Sequence, residues 1–153
     1  MKRTCLVLPL LLLAACGGSD GLSKSDYVAK AEALCKKAND DIDALTTPSD
    51  LTDIAPFLDK LIATADQTTD ELVALDAPKD DKADLDKKFL QPLRKQVEQG
   101  RTWAADIKTA AAAQDQAKIG QLLGNAPTME EADLTWMKDY GFTECVETAE
   151  TDQ

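Results

Sequence analysis

Thiols, carboxylates, two arginines and a few aromatic rings are the groups able to do chemistry here, in a 153-residue chain that contains no histidine. The missing imidazole removes Ser/His and Cys/His nucleophile pairs, histidine metal sites, and the usual side-chain switch between about pH 5 and 8. Carboxylates gather twice, as Asn39, Asp40, Asp41 and Asp43 and as Asp80, Asp81, Asp84 and Asp86. A calcium loop of the EF-hand type needs a Gly at its sixth position and a terminal Glu, and the first cluster has neither. The second stands where a helix should start, and acids there suit the helix dipole. Both read as solvated faces, so no metal or cofactor is expected. Arg94 and Arg101, seven apart on one helical face, have the fork geometry to grip an anion. Glu98, four after one and three before the other, offers the plainer reading of surface ion pairs. Trp103, Trp136 and Tyr140, with Phe142, are candidates to line a pocket for an apolar ligand. The plainer reading of such rings is that they plug one end of a helical core.

What the four cysteines (Cys5, Cys16, Cys35 and Cys145) can do depends on the compartment, and the N-terminus speaks to that. A basic start, Met1-Lys2-Arg3, precedes an apolar run over residues 5–13 and small residues before Cys16. That is the layout of a secretory signal peptide. The run is far short of the roughly 20 residues a membrane-spanning helix needs. At all four positions Leu13-Ala14-Ala15-Cys16 resembles the lipobox of bacterial lipoproteins, Leu-(Ala/Ser)-(Gly/Ala)-Cys. The resemblance implies a diacylglyceryl thioether on Cys16, cleavage before it, and often a further acyl chain on the new N-terminus. Two or more chains hold a protein stably at a membrane, whereas one binds only marginally. The alternatives are an ordinary secreted protein that uses Cys16 in a disulfide, and an uncleaved apolar N-terminus. Residues 1–15 are therefore expected to be the signal peptide, and residues 16–24 the lipidated cysteine with a flexible Gly/Ser/Asp tether.

Cys5 falls in the discarded segment, leaving Cys35 and Cys145 beyond the anchor. In an exported chain two spare cysteines read as one disulfide. Zinc would need more ligands, and redox work would need a Cys-x-x-Cys. Cleavage removes Lys2 and Arg3 and no acid, which moves the formal charge from −11 to −13. So acidic a body argues against nucleic acid and against a face lying flat on anionic lipid. An electrostatic partner would have to be basic. The preferred reading is that the acids keep a tethered protein soluble.

Helical periodicity runs through most of the remainder. Val28, Ala31, Cys35, Ala38, Ile42 and Leu45 recur at three and four, which places Cys35 on a buried stripe. Ser23 or Ser25 can cap that helix, and Thr46-Thr47-Pro48 ends it. Leu51, Ile54, Leu58, Leu61, Ala65, Thr68, Leu72 and Leu75 form a second seam. Ser49 or Asp50 can cap it, and Pro56 within it requires either bent opening turns or a later start capped by Asp53. A third seam is Leu90, Leu93, Val97, Gly100, Ala104, Ile107 and Ala111, where Pro92 should bend the helix. Gly100 on this seam implies a close approach of another helix, or a weak point. Residues 115–123 suggest a short helix. Thr128 and Glu131 form a capping box for a segment carrying Met129, Ala132, Trp136 and Tyr140. No stretch alternates for long enough to suggest a strand.

The expected fold is all-α: an antiparallel three- to four-helix bundle over residues 25–146 with one disulfide, preceded by the signal peptide and tether and followed by an acidic tail at 147–153. The pairing of Tyr27-Val28-Ala29-Lys30-Ala31-Glu32-Ala33-Leu34-Cys35 with Tyr140-Gly141-Phe142-Thr143-Glu144-Cys145 is similar to small exported helical lipoproteins from actinobacteria. That likeness implies a fold and an anchor, and no activity. The expectation is a non-enzymatic lipoprotein, held by its lipid at the extracytoplasmic face of the cell membrane. It acts as an interaction or surface module toward a protein or small ligand not named by the sequence, and not toward nucleic acid. A carrier of small apolar ligands is the alternative.

Overall fold

The computed structural model describes residues 21–127 and 133–151. These residues are helical, without a strand among them, and one bond between Cys35 and Cys145 joins positions 110 apart, with their Cα atoms at 5.0 Å. No helix among them is long and apolar enough to cross a membrane. The signal segment, Cys16 and residues 17–20 lie outside the described residues, as do Thr128, Met129, Glu131 and Ala132.

Helix α1, Lys24–Asp43, starts on Ser23, whose hydroxyl accepts from the Asp26 amide at 3.2 Å. Its buried face is Tyr27, Ala31, Cys35 and Ala38, a step of four, four and three. Helix α2, Leu51–Ala74, is capped by Asp50 rather than Asp53, since the Asp50 carboxylate accepts from the Thr52 amide at 2.9 Å. It therefore runs through Pro56, which is exposed, so water can serve the carbonyl that the proline leaves without a donor.

The third seam begins as α3, Lys82–Leu85, and continues through a five-residue π-turn, Asp86–Leu90, into α4, Gln91–Ala112. Pro92 occupies the first turn of α4 but lies inside the continuous rod, so its missing N–H removes one helical bond to the turn before it. Just upstream the helix widens, and the Gln91 amide reaches back five residues to the Asp86 carbonyl. A proline ring crowds the carbonyl four positions earlier, and one wide turn relieves that crowding. The wide turn also lets two neighbours, Phe89 and Leu90, both face inward.

Two short helices follow. Helix α5, Gln116–Leu123, is capped by Asp115, and α6, Leu134–Tyr140, by Asp133, whose carboxylate accepts from the Trp136 amide at 2.9 Å. Gly141, at φ 120°, ends α6 where a side chain would be strained. Beyond it lies a further helix, α7, Glu144–Thr151, so residues 147–151, expected in an acidic tail, are helical instead. Its first turn carries Glu144 and Glu147, which suit the positive end of the helix dipole.

The largest core cluster joins α1 (Tyr27, Ala31, Cys35), the end of α2 (Leu72), the π-turn (Phe89, Leu90) and the last two helices (Met137, Tyr140, Phe142, Val146). A second lies between α2 and α4, with Leu58, Ala104 and Ile107 buried, and a third holds Ala110, Ala111 and Ile119. Along the α2–α4 contact Asp59 pairs with Lys108 at 2.7 Å and Asp66 with Arg101 at 2.8 Å, seven residues on in one helix and seven back in the other.

Candidate functional site

Each cysteine of the pair sits on an element built to hold it. Cys35 lies on the buried stripe of α1 and Cys145 in the first turn of α7, 7 % and 4 % exposed. Two polar contacts reinforce the bond. The Glu32 carboxylate, one turn before Cys35, accepts from the Glu144 amide at 3.0 Å and from the Cys145 amide at 3.3 Å. It thereby fills helix-end donors that no residue of α7 could satisfy. Asn39, one turn after Cys35, donates through its carboxamide to the Glu144 carbonyl at 3.3 Å. The site is structural, and sequence periodicity had placed only one half of it.

The point where the chain enters the fold is equally defined. Gly21, at φ +76°, passes so close to the loop after α2 that a Cβ on it would lie 2.1 Å from the Ala77 carbonyl oxygen. The Leu22 amide donates to the Asp76 carbonyl at 3.0 Å, and the Leu22 side chain packs against the main core. Gly21 and Leu22 thus belong to the folded body, one turn before Lys24.

Beside this entry point is a row of aromatic rings. Trp136 and Tyr140, one turn apart on α6, stack at 4.8 Å between ring centres, and Tyr140 leans on Phe142 at 5.2 Å. The Lys24 Nζ lies 4.1 Å from the Tyr140 ring centre and the Lys88 Nζ 5.1 Å from that of Trp136, both within cation–π range. The Tyr140 hydroxyl donates to Asp81 at 2.7 Å. Burial raises the Tyr140 phenol above its ordinary pKa, and the Asp81 carboxylate adds to the effect. Tyr27 is wholly buried nearby with no hydrogen-bond partner for its hydroxyl among the described residues, and burial pushes its pKa up to about 12.

Trp103 is elsewhere. It packs in the α2–α4 cluster and donates through its indole N–H to the Leu122 carbonyl at 2.8 Å. The three aromatic candidates therefore fall into two groups, Trp136 with Tyr140 and Trp103 apart. A shallow groove of about 250 Å³ between α2 and α4 is lined by Asp59, Ile62, Asp66, Arg101 and Lys108, with none of the candidate rings among them. It is smaller than a typical ligand pocket and its charges are already paired.

The arginines take separate partners: Arg94 pairs with Asp86 at 3.1 Å and Arg101 with Asp66, in place of the expected Glu98. Hydrogen bonds from Gln91 and Arg94 hold the Asp86 carboxyl below its usual range. Asp40 and Asp41 are tied to Lys36 and Lys37 one turn back, whose ammonium pKa values these bonds raise. Among the described residues no group of three or more acidic or sulfur ligands converges on a metal-sized space. Comparison of this chain with protein-family models, curated proteins and solved structures gave no match.

Proposed function

We propose that this chain is a lipid-anchored protein of the bacterial cell envelope. The signal segment 1–15 is removed, Cys16 carries the acyl chains, and the acidic helical domain works outside the cytoplasm as a non-enzymatic interaction or surface module. The observation that carries the reading is the pairing of Cys35 with Cys145. A buried structural disulfide is the habit of exported proteins, and it leaves neither of these thiols available to Cys16. Of the other two thiols, Cys5 falls in the segment to be removed, and Cys16 stands where the lipobox resemblance puts the modified cysteine.

The domain itself we read as an antiparallel bundle of α1, α2 and the α3–α4 rod, with α6 and α7 closing one end. Three contacts support this. The start of α1 meets the end of α2 through Leu22 and Asp76, and the two α2–α4 ion pairs progress in opposite directions along their helices. Short connections favour antiparallel neighbours. The carrier reading draws less support, because Trp136 and Tyr140 pack on each other and on the core, and Trp103 serves a different cluster.

The test uses the full-length chain expressed in a bacterium with its own export pathway. Wild type should incorporate a labelled fatty acid and sediment with membranes, while Cys16→Ala should be unlabelled and absent from them. Wild-type protein that takes up no label would overturn the anchor.

A further inference from the structure

We propose that Lys24, Trp136 and Lys88, backed by the buried ring of Tyr140, form a lipid-headgroup contact, and that this row fixes which end of the domain faces the bilayer. The inference rests on the lipid anchor proposed above and adds a surface to it.

The tether's reach is the first consideration. Between Cys16 and Gly21 lie only residues 17–20, and Gly21 is pinned to the Ala77 carbonyl. At about 3.5 Å per residue those five steps span at most about 17 Å. With the acyl chains of Cys16 inserted in the membrane, the end of the domain holding Gly21, Asp76 and Ala77 cannot move farther than that from the lipid. Lys24 is exposed one turn from Gly21, and its ammonium touches Tyr140, which bonds Asp81 at the head of α3. The row therefore begins at the tethered end.

Its chemistry suits the position. Trp and Tyr have an apolar body and a polar tip and settle at headgroup depth, and lysine extends its ammonium toward lipid phosphates. Lys24 is exposed and Trp136 and Lys88 are half-buried, so all three remain available to a planar partner, while Tyr140 stays in the core and supports them from behind. The rest of the body is strongly acidic, which confines contact to this strip. Acids at its margin, Asp81 with Tyr140 and Asp84 with Lys88 at 3.8 Å, soften its charge. It therefore fits zwitterionic phospholipid headgroups, and a strongly anionic surface is not required.

The opposite half points away. Trp103 lies 15 positions beyond Lys88 along the α3–α4 rod, or roughly 22 Å at about 1.5 Å per residue. The chain thus carries one tryptophan near the proposed contact and one far from it.

The experiment exploits this. Full-length acylated protein is reconstituted into phosphatidylcholine vesicles in which some acyl chains are brominated near the headgroup. Fluorescence is read from the Trp103→Phe and Trp136→Phe variants, each with a single remaining tryptophan. Trp136 should be quenched several-fold more than Trp103. Equal quenching, or stronger quenching of Trp103, overturns the proposed orientation even when the protein is vesicle-bound. A second readout keeps both tryptophans: amine acylation of vesicle-bound wild type, mapped by mass spectrometry against unanchored Cys16→Ala protein. Lys24 and Lys88 should be protected while Lys118 on α5 reacts as before; equal reactivity of all three contradicts the contact. Purified wild type that carries no acyl chain and does not sediment with vesicles would remove the anchor, a failure distinct from wrong orientation, and this proposal with it.

Discussion

Tyr27 and Tyr140 lie close together in the core and differ in one bond, so they should answer the same substitution with opposite signs. The Tyr27 hydroxyl is buried without a partner among the described residues, and such a group is destabilising. Tyr27→Phe should therefore raise the unfolding free energy by about 1 kcal/mol. Tyr140→Phe breaks the bond to Asp81 and should lower it by about 1 kcal/mol. Urea unfolding of both variants checks this, and equal signs would contradict it. Both phenols hold their proton more tightly in the folded chain than the ordinary value of 10.0. Their stabilisation is thus complete below pH 10 and declines as pH rises, for Tyr27 through about 12. A stability curve flat across that interval would show the rings to be accessible. Glu32 is a third test at this scale. Glu32→Ala removes a charged cap from α7 and should cost about 1 to 2 kcal/mol, read as earlier thermal unfolding and faster amide exchange at Glu144 and Cys145.

At the scale of elements, two glycines that approach a neighbouring element, Gly100 and Gly21, should respond differently. A Cβ at Gly100 would sit 3.5 Å from Ile62 Cδ1, an ordinary contact, so Gly100→Ala should stabilise α4 by about 0.5 to 1 kcal/mol. At Gly21 the positive φ and the Ala77 carbonyl leave no room, so Gly21→Ala should destabilise and free Leu22 from Asp76. Thermal melts of the pair check both signs. The long helices are legible in the sequence because their apolar residues recur at three and four over many turns, and Cys35, Leu58, Leu72, Val97, Ala104 and Ile107 are buried where that spacing puts them. The π-turn is not legible, since periodicity assumes a constant pitch and Pro92 changes it locally. Nor is α7. It is a single short helix of eight residues held by Glu32, Cys35 and Asn39 of α1, more than a hundred positions away, and no local pattern carries that information. The acidic first turn of Glu144 and Glu147 was the one signal available. Tyr27 hides differently, beside the seam that Val28 had been given.

For the molecule as a whole, the Cys35–Cys145 bond closes a loop over 110 positions, and the chain-entropy account assigns such a loop about 4 to 5 kcal/mol. The Cys35→Ser, Cys145→Ser double variant should accordingly lose about 4 to 5 of the roughly 5 to 15 kcal/mol that stabilise a domain. Helix α7 should be released first, because only noncovalent contacts, among them those of Glu32 and Asn39, remain to hold it. Retention of the wild-type melting temperature would show the staple to be dispensable. In the proposed reading the same bond ties the fold to the compartment: an oxidising exterior closes it, and the few residues between Cys16 and Gly21 keep the closed domain near the lipid. Both claims are read at once in the intact mass of the mature protein taken from bacterial membranes without reductant. The account predicts a chain that begins at Cys16, heavier by its acyl groups and lighter by the two hydrogens that one disulfide removes. A chain that still begins at Met1, carries no lipid and has its thiols free would contradict it.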